Sequence, residues 1–160
     1  MSVTSRKYPP EITRKKVVDW CNKAERCQWD VRNKLIQWNT PTFEREQLIS
    51  ELISMDLLNE KRYAEAFTHD KALLNQWGRR KIVQHLKAKG ISGRNITDAL
   101  GNIGLDDEKT TIESLIKKKE LHLREAQLFT KKAKIIRFLI SRGFEYEAAV
   151  RGVENYFSDT

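Results

Sequence analysis

The 160-residue chain carries 30 Lys and Arg against 22 Asp and Glu, a formal net charge of +8, and is 39% apolar and 32% charged. That length suits one ordinary domain or a short array of small units, able to bury roughly 70% of its unfolded surface without disulfides or metal. Seven Gly and three Pro are too few for a many-stranded sandwich or barrel, no 18-residue apolar run exists to cross a membrane, and the first twenty residues hold no apolar leader segment.

Cys21 and Cys27 are the only cysteines. Two thiols six residues apart make neither a disulfide framework nor a zinc site, so a reduced, cytoplasmic protein is expected. The positive balance favours a polyanionic partner, nucleic acid or something bound to it.

Residues 1–10, with Arg6, Lys7, Pro9 and Pro10, show no apolar periodicity and read as a flexible arm. From Ile12 the pattern is helical nearly throughout. Val17, Val18, Trp20, Cys21 and Ala24 recur at spacings of three and four, followed by Val31, Leu35 and Trp38. Pro41 biases Thr40 away from the helical region and breaks the chain there. Leu48, Leu52 and Met55 mark the next helix. Lys61 to Leu74 follows, with Tyr63, Ala66, Phe67, Asp70 and Leu74 expected on one side. Arg79 to Lys87 is a helix with Ile82, Val83 and Leu86 inside, ended by a left-handed Gly90. Ser92 caps a helix carrying Ile96, Ala99, Leu100 and Ile103. Asp106, Asp107 and Glu108 complement the N-terminus of a long helix read as far as Phe129. Ile135, Ile136, Leu139 and Ile140 form another helix, stopped by Gly143, and Ala148 to Tyr156 the last.

These elements repeat. Val31 and Leu35 match Ile82 and Leu86 at an offset of 51, and those match Ile135 and Leu139 at 53, as Gly90 matches Gly143. A period near fifty with three helices per unit predicts an all-α fold, an elongated tandem array of three-helix repeats. The units are placed at 11–58, 59–106 and 107–160, each too small to bury its own face, so that neighbours must pack on one another.

Motifs for catalysis are absent: no Gly-rich phosphate loop, HExxH, CxxC or GxSxG. His69, His85 and His122 lie far apart and read as ordinary helix histidines. The sequence calls for no cofactor and no metal. Its informative signal is regional charge. No acid occurs from Lys71 to Thr97, which holds Lys71, Arg79, Arg80, Lys81, Lys87, Lys89 and Arg94. None occurs from Ala126 to Phe144, which holds Lys131, Lys132, Lys134, Arg137 and Arg142. A merely soluble surface mixes signs. Two such blocks at matching repeat positions point to a shared basic face rather than a plain solvated one, with Arg80, Gln84 and Lys87 on one outer stripe. Trp20 and Trp38 fall on apolar stripes and read as core rather than base-stacking platforms; Trp77 is placed over an inter-helix joint. Gln84 to Leu100 also has the form of a helix-turn-helix, with Arg94, Asn95 and Asp98 toward a major groove.

Asn59-Glu60-Lys61-Arg62-Tyr63-Ala64-Glu65-Ala66-Phe67, then Trp77-Gly78-Arg79-Arg80-Lys81-Ile82, then Leu86-Lys87-Ala88-Lys89-Gly90-Ile91-Ser92, resemble the central signature of the RecX regulatory family. The resemblance is strongest over 57–105. The sequence departs from it where the first unit has Asn39-Thr40-Pro41-Thr42 in place of a Gly-stopped turn. What the resemblance implies is a non-enzymatic modulator of the recombinase RecA, a monomer that lies in the groove of the RecA–single-stranded-DNA filament. It would suppress strand exchange, ATP hydrolysis and co-protease activity. Partner contact is expected from Arg79, Arg80, Lys81, Lys87, Lys89 and Arg94, extended by Lys131, Lys132 and Lys134, with direct binding of single- or double-stranded DNA left open. The alternative is a DNA-binding protein acting through residues 84–100.

Overall fold

The computed structural model describes residues 5–158. Among the described residues there are nine helices and no strand: α1 Pro10–Lys23, α2 Gln28–Gln37, α3 Thr42–Ser54, α4 Glu60–Leu73, α5 Arg79–Ala88, α6 Gly93–Leu100, α7 Leu105–His122, α8 Leu128–Ser141 and α9 Tyr146–Ser158. They fall into three groups of three, each around its own apolar cluster. Val17, Val31, Leu35 and Leu52 anchor the first, Tyr63, Ile82, Leu86 and Ile96 the second, and Ile116, Ile135, Leu139 and Val153 the third. The fold is a helical repeat array.

One turn closes the second helix of each unit. Asn39, Gly90 and Gly143 close α2, α5 and α8 with φ of 54°, 74° and 98°. Each donates its N–H to the carbonyl three residues back, at 2.9 Å. The residue after it, Thr40, Ile91 or Phe144, is buried and donates to Leu35, Leu86 or Leu139. The first unit's departure at 39–42 is therefore a departure of sequence and not of shape, because Asn tolerates the left-handed region that Gly otherwise supplies.

Four expectations are corrected. Of the flexible arm, residues 1–4 lie outside the described residues and the rest is fastened. Arg6 pairs with Glu44 at 2.8 Å, the Lys7 N–H donates to the Trp38 carbonyl, and Pro10 already begins α1. The stripe of α4 that turns inward is Tyr63, Ala64, Phe67, Thr68 and Ala72, while Asp70 and Leu74 face solvent. The long helix α7 ends at His122, since Leu123 is extended (φ −92°, ψ 133°), and α8 starts afresh at Leu128.

The fourth concerns how neighbours meet. The first and third cores are closed by their own helices, the second takes in only Cys27 from its neighbour, and the joints between units are otherwise chiefly polar. At the first joint Cys27 caps α2, its Sγ accepting from the Asp30 N–H, and buries itself in the second unit's core. Burial pushes its thiol up to about 12. Arg62 reaches back to Glu25 and Asp56, and the Gln28 N–H donates to Glu60 Oε1 at 3.2 Å. At the second joint the Gly78 N–H donates to the Arg142 carbonyl at 2.8 Å and the Arg80 N–H to the Gly143 carbonyl at 3.0 Å. The free carbonyls ending α8 thus satisfy free amides starting α5, whose N-cap Gly78 has no side chain to do so.

Glu60 makes the first joint pH-sensitive. Burial raises its carboxyl above the usual range, against the Gln28 N–H that favours the charge, and Oε2 is buried without a hydrogen-bond partner. A carboxyl raised on folding favours the fold while protonated and loses that contribution as pH rises through its folded pKa. Glu60→Gln is expected to be more stable than the parent in urea melts at pH 7. The difference should close at about pH 3.5, below the ordinary glutamate value.

Candidate polyanion-binding face

Helix α5 forms because Ile82 and Leu86, four apart, both fall into the second core with no exposure. That choice fixes the opposite stripe, and Arg80, Gln84 and Lys87 stand exposed along it. Across the Gly90 turn, Ser92 caps α6 by accepting the Asn95 N–H at 3.2 Å, and Arg94 is exposed in the first turn. The side chains of Arg80, Lys87 and Arg94 make no hydrogen bond or ion pair among the described residues.

Lys81 is half-buried, with its ammonium 4.4 Å above the ring of Trp77. Lys71 lies over the same ring at 4.9 Å. The His85 ring is 4.6 Å from Trp77, and Phe67 lies 6.1 Å from it. A basic and aromatic platform thus sits beside the Arg80–Lys87 stripe. Trp77, His85 and Lys71 complete it. The spacing of Trp77 and Lys81, four apart at a helix start, was the available signal for them.

Other predicted cations are engaged inside the protein. Arg79 donates to Glu108 and to the carbonyls of Leu100 and Ile103, all at 3.0 Å, and ties the second unit to the start of α7. Lys89 donates to Asp30 at 2.8 Å and to the Tyr63 hydroxyl at 3.1 Å. Burial works against its charge, but those hydrogen bonds prevail and hold its pKa above the ordinary value. Lys131 stands 3.7 Å from Glu120, Lys132 3.2 Å from Glu154, and Lys134 pairs with Glu125. The structure therefore groups Arg80, Lys81 and Lys87, with Arg94 across the turn. It assigns Arg79 and Lys89 to joints, and it neutralises the third-unit trio.

Residues 59–100 match the family model described as RecX, second three-helix domain, and 106–151 match RecX, third three-helix domain. "Regulatory protein RecX" of Clostridium perfringens (strain 13 / Type A) is 32% identical over 127 residues, 78% of this chain and 59% of that protein. The chain thus spans about three fifths of that relative's length. "Regulatory protein RecX" of Haemophilus ducreyi is 31% identical over 126 residues, 79% of this chain and 80% of that protein. In fold, the crystal structure of RecX from Lactobacillus salivarius superposes with a TM-score of 0.80 at 21% identity, over 93% of this chain and 97% of that one.

Proposed function

The chain belongs to the RecX family, and on that premise we propose that it is a non-enzymatic, cytoplasmic regulator that binds the RecA–single-stranded-DNA filament. In this reading it inhibits the recombinase, ATPase and co-protease activities of the filament by blocking its growth or destabilising it. The observation that carries the reading is the exposed, unpaired set Arg80, Lys87 and Arg94, with Lys81 and Lys71 beside it on Trp77. A filament that contains DNA is polyanionic, and unpaired surface cations release its counterions without first breaking bonds inside the protein. Arg79 and Lys89 support this face indirectly, by fixing the second unit between its neighbours.

The helix-turn-helix alternative finds less support. The outward face of α6 sets Arg94 against Asp98, both exposed, and Asn95 is half-buried. That leaves little net positive charge where a recognition helix meets duplex phosphates.

The test is single-stranded-DNA-dependent ATP hydrolysis by the cognate RecA, titrated with this protein. Inhibition is expected at amounts too small to coat the DNA. The triple substitution Arg80→Ala, Lys87→Ala, Arg94→Ala should raise the concentration for half-inhibition about tenfold or more at low salt. It should also flatten the logarithmic salt dependence by about 0.7 per lost phosphate contact, with the melting temperature unchanged. Full inhibition by the triple variant would refute the face.

A further inference from the structure

The first unit carries a cleft that the function above does not use. It is about 240 Å³ and is lined by Tyr8, Trp20, Trp38, Lys16, Lys23 and Lys34, with Asp19 the one acid on its wall. Its construction follows from register. On α1, Lys16, Trp20 and Lys23 fall at spacings of four and three on one stripe. On α2, Lys34 and the C-cap Trp38 are four apart and face them. Tyr8 closes the third side, edge-on to Trp38 at 5.4 Å, held by the Arg6–Glu44 pair and the Lys7 N–H.

We propose that this cleft binds a nucleotide unit of single-stranded nucleic acid, its base against Trp20 and Tyr8 and its phosphates on Lys16, Lys23 and Lys34. Three observations support the assignment. First, the lysine side chains are uncommitted: none of the three ammonium groups makes a hydrogen bond or ion pair among the described residues. Lys16 and Lys34 instead rest over rings, Lys16 4.8 Å from Tyr8 and Lys34 5.3 Å from Trp20. Lys131, Lys132 and Lys134 of the third unit, by contrast, stand beside carboxylates. Second, the rings differ in access. Trp38 is 9% exposed and forms the floor, while Tyr8 and Trp20 are half-buried and offer surface to a guest, Trp20 with the Arg26 guanidinium also over its ring at 4.2 Å. Third, the volume lies below the roughly 300–1,000 Å³ of pockets for drug-sized ligands and suits one base of a strand that continues outside. An ammonium above a ring is a weak, exchangeable contact. A phosphate takes the ammonium and a base takes the ring, so one ligand replaces both halves at once. Bases stacked inside a duplex cannot reach the rings.

This site needs only bare strand, so its test is separate from filament inhibition. A twelve-residue oligo-dT carrying one 5-iododeoxyuridine is irradiated with the full chain, and adducts are mapped by mass spectrometry. Adducts at Tyr8 or Trp20 are expected. By fluorescence anisotropy, Lys16→Gln with Lys23→Gln, both exposed positions, should weaken oligo-dT binding about five- to tenfold at unchanged melting temperature. Asp19→Asn should tighten it about twofold, which a purely structural role would not produce. Oligo-U in place of oligo-dT tells RNA from DNA as the source, and adducts at these rings from either support the site. Adducts only elsewhere, no binding of single strand, or equal competition by poly-glutamate, which has charge but no base, would each overturn it. None of those three outcomes bears on inhibition of the filament. Loss of inhibition with the adducts retained would overturn the other reading alone.

Discussion

Gly78→Ala is expected to lower the melting temperature by about 6–20 °C. The backbone at Gly78 has φ −78°, so alanine is conformationally welcome there. The obstacle is the neighbouring unit: an added Cβ would stand 2.2 Å from the Gly143 carbonyl carbon and 2.2 Å from the Phe144 nitrogen. Those atoms are backbone, and Gly143 sits at φ +98° in the turn that buries Phe144, so the contact cannot be relieved by rotating a side chain. The joint must open, and the two hydrogen bonds from Gly78 and Arg80 to the end of α8 open with it. Forced overpacking costs about 1–3 kcal/mol and each lost hydrogen bond about 1 kcal/mol. A total of about 3–5 kcal/mol is expected, which at about 2–4 °C per kcal/mol for a chain of this length gives the stated range. Gly93→Ala is the control. Nothing lies within 4 Å of its Cβ position, and it sits at the first position of α6, so calorimetry should find it neutral or slightly stabilised.

The same substitution reaches the proposed function without touching a charge. Helix α5 carries Arg80 and Lys81 within one turn of Gly78. The joint decides where that turn stands relative to the third unit. Gly78→Ala should therefore weaken inhibition of RecA-dependent ATP hydrolysis, whereas Gly93→Ala should not. If both inhibit as the parent does, the mutual placement of the two units plays no part in the inhibition.

The helices and the three-fold repeat were legible because they rest on local signals. Ile82 and Leu86, Ile135 and Leu139, and the glycines at 90 and 143 all act within a few residues of one another. The end of α7 was not legible. Residues 123–127 contain no Gly or Pro, and the break appears where α8 must be placed to bring Ile135 and Leu139 into the core. The basic face was legible only as a region. A stretch without acids says that no local partner exists, but joints in a repeat array bring partners from afar. Glu108 is 29 residues from Arg79, and Asp30 is 59 residues from Lys89. The first-unit cleft was hidden for the converse reason. Lys16, Lys23 and Lys34 lie in a stretch of mixed sign, and only the folded geometry shows that two of its acids pair elsewhere, Glu25 with Arg62 and Asp30 with Lys89.

Lys87 and Lys89 pose this distinction most sharply. They are two residues apart, carry the same charge and share the same acid-free block, yet a helix turns about 200° between them. Lys87 points to solvent. Lys89 crosses to the first unit, where it meets Asp30 and lies 5.5 Å from the Trp29 ring, while Tyr63 of its own unit lies beneath it at 5.6 Å. Lys89→Ala removes the cation and leaves the Asp30 carboxylate, 16% exposed, with only the Cys27 N–H at 3.3 Å. Stranding a charge in full burial costs about 3–5 kcal/mol. The residual exposure of this pair and the remaining N–H bring the expected loss to about 2 kcal/mol, or about 4–8 °C in melting temperature. Lys87→Ala should change stability by less than about 0.5 kcal/mol and weaken only inhibition. Urea melts and ATPase titrations of the two variants therefore move in opposite patterns: stability first for Lys89, inhibition alone for Lys87. Equal stability of the two would mean that Lys89 does not hold the first joint, and the second unit would need another anchor to Asp30.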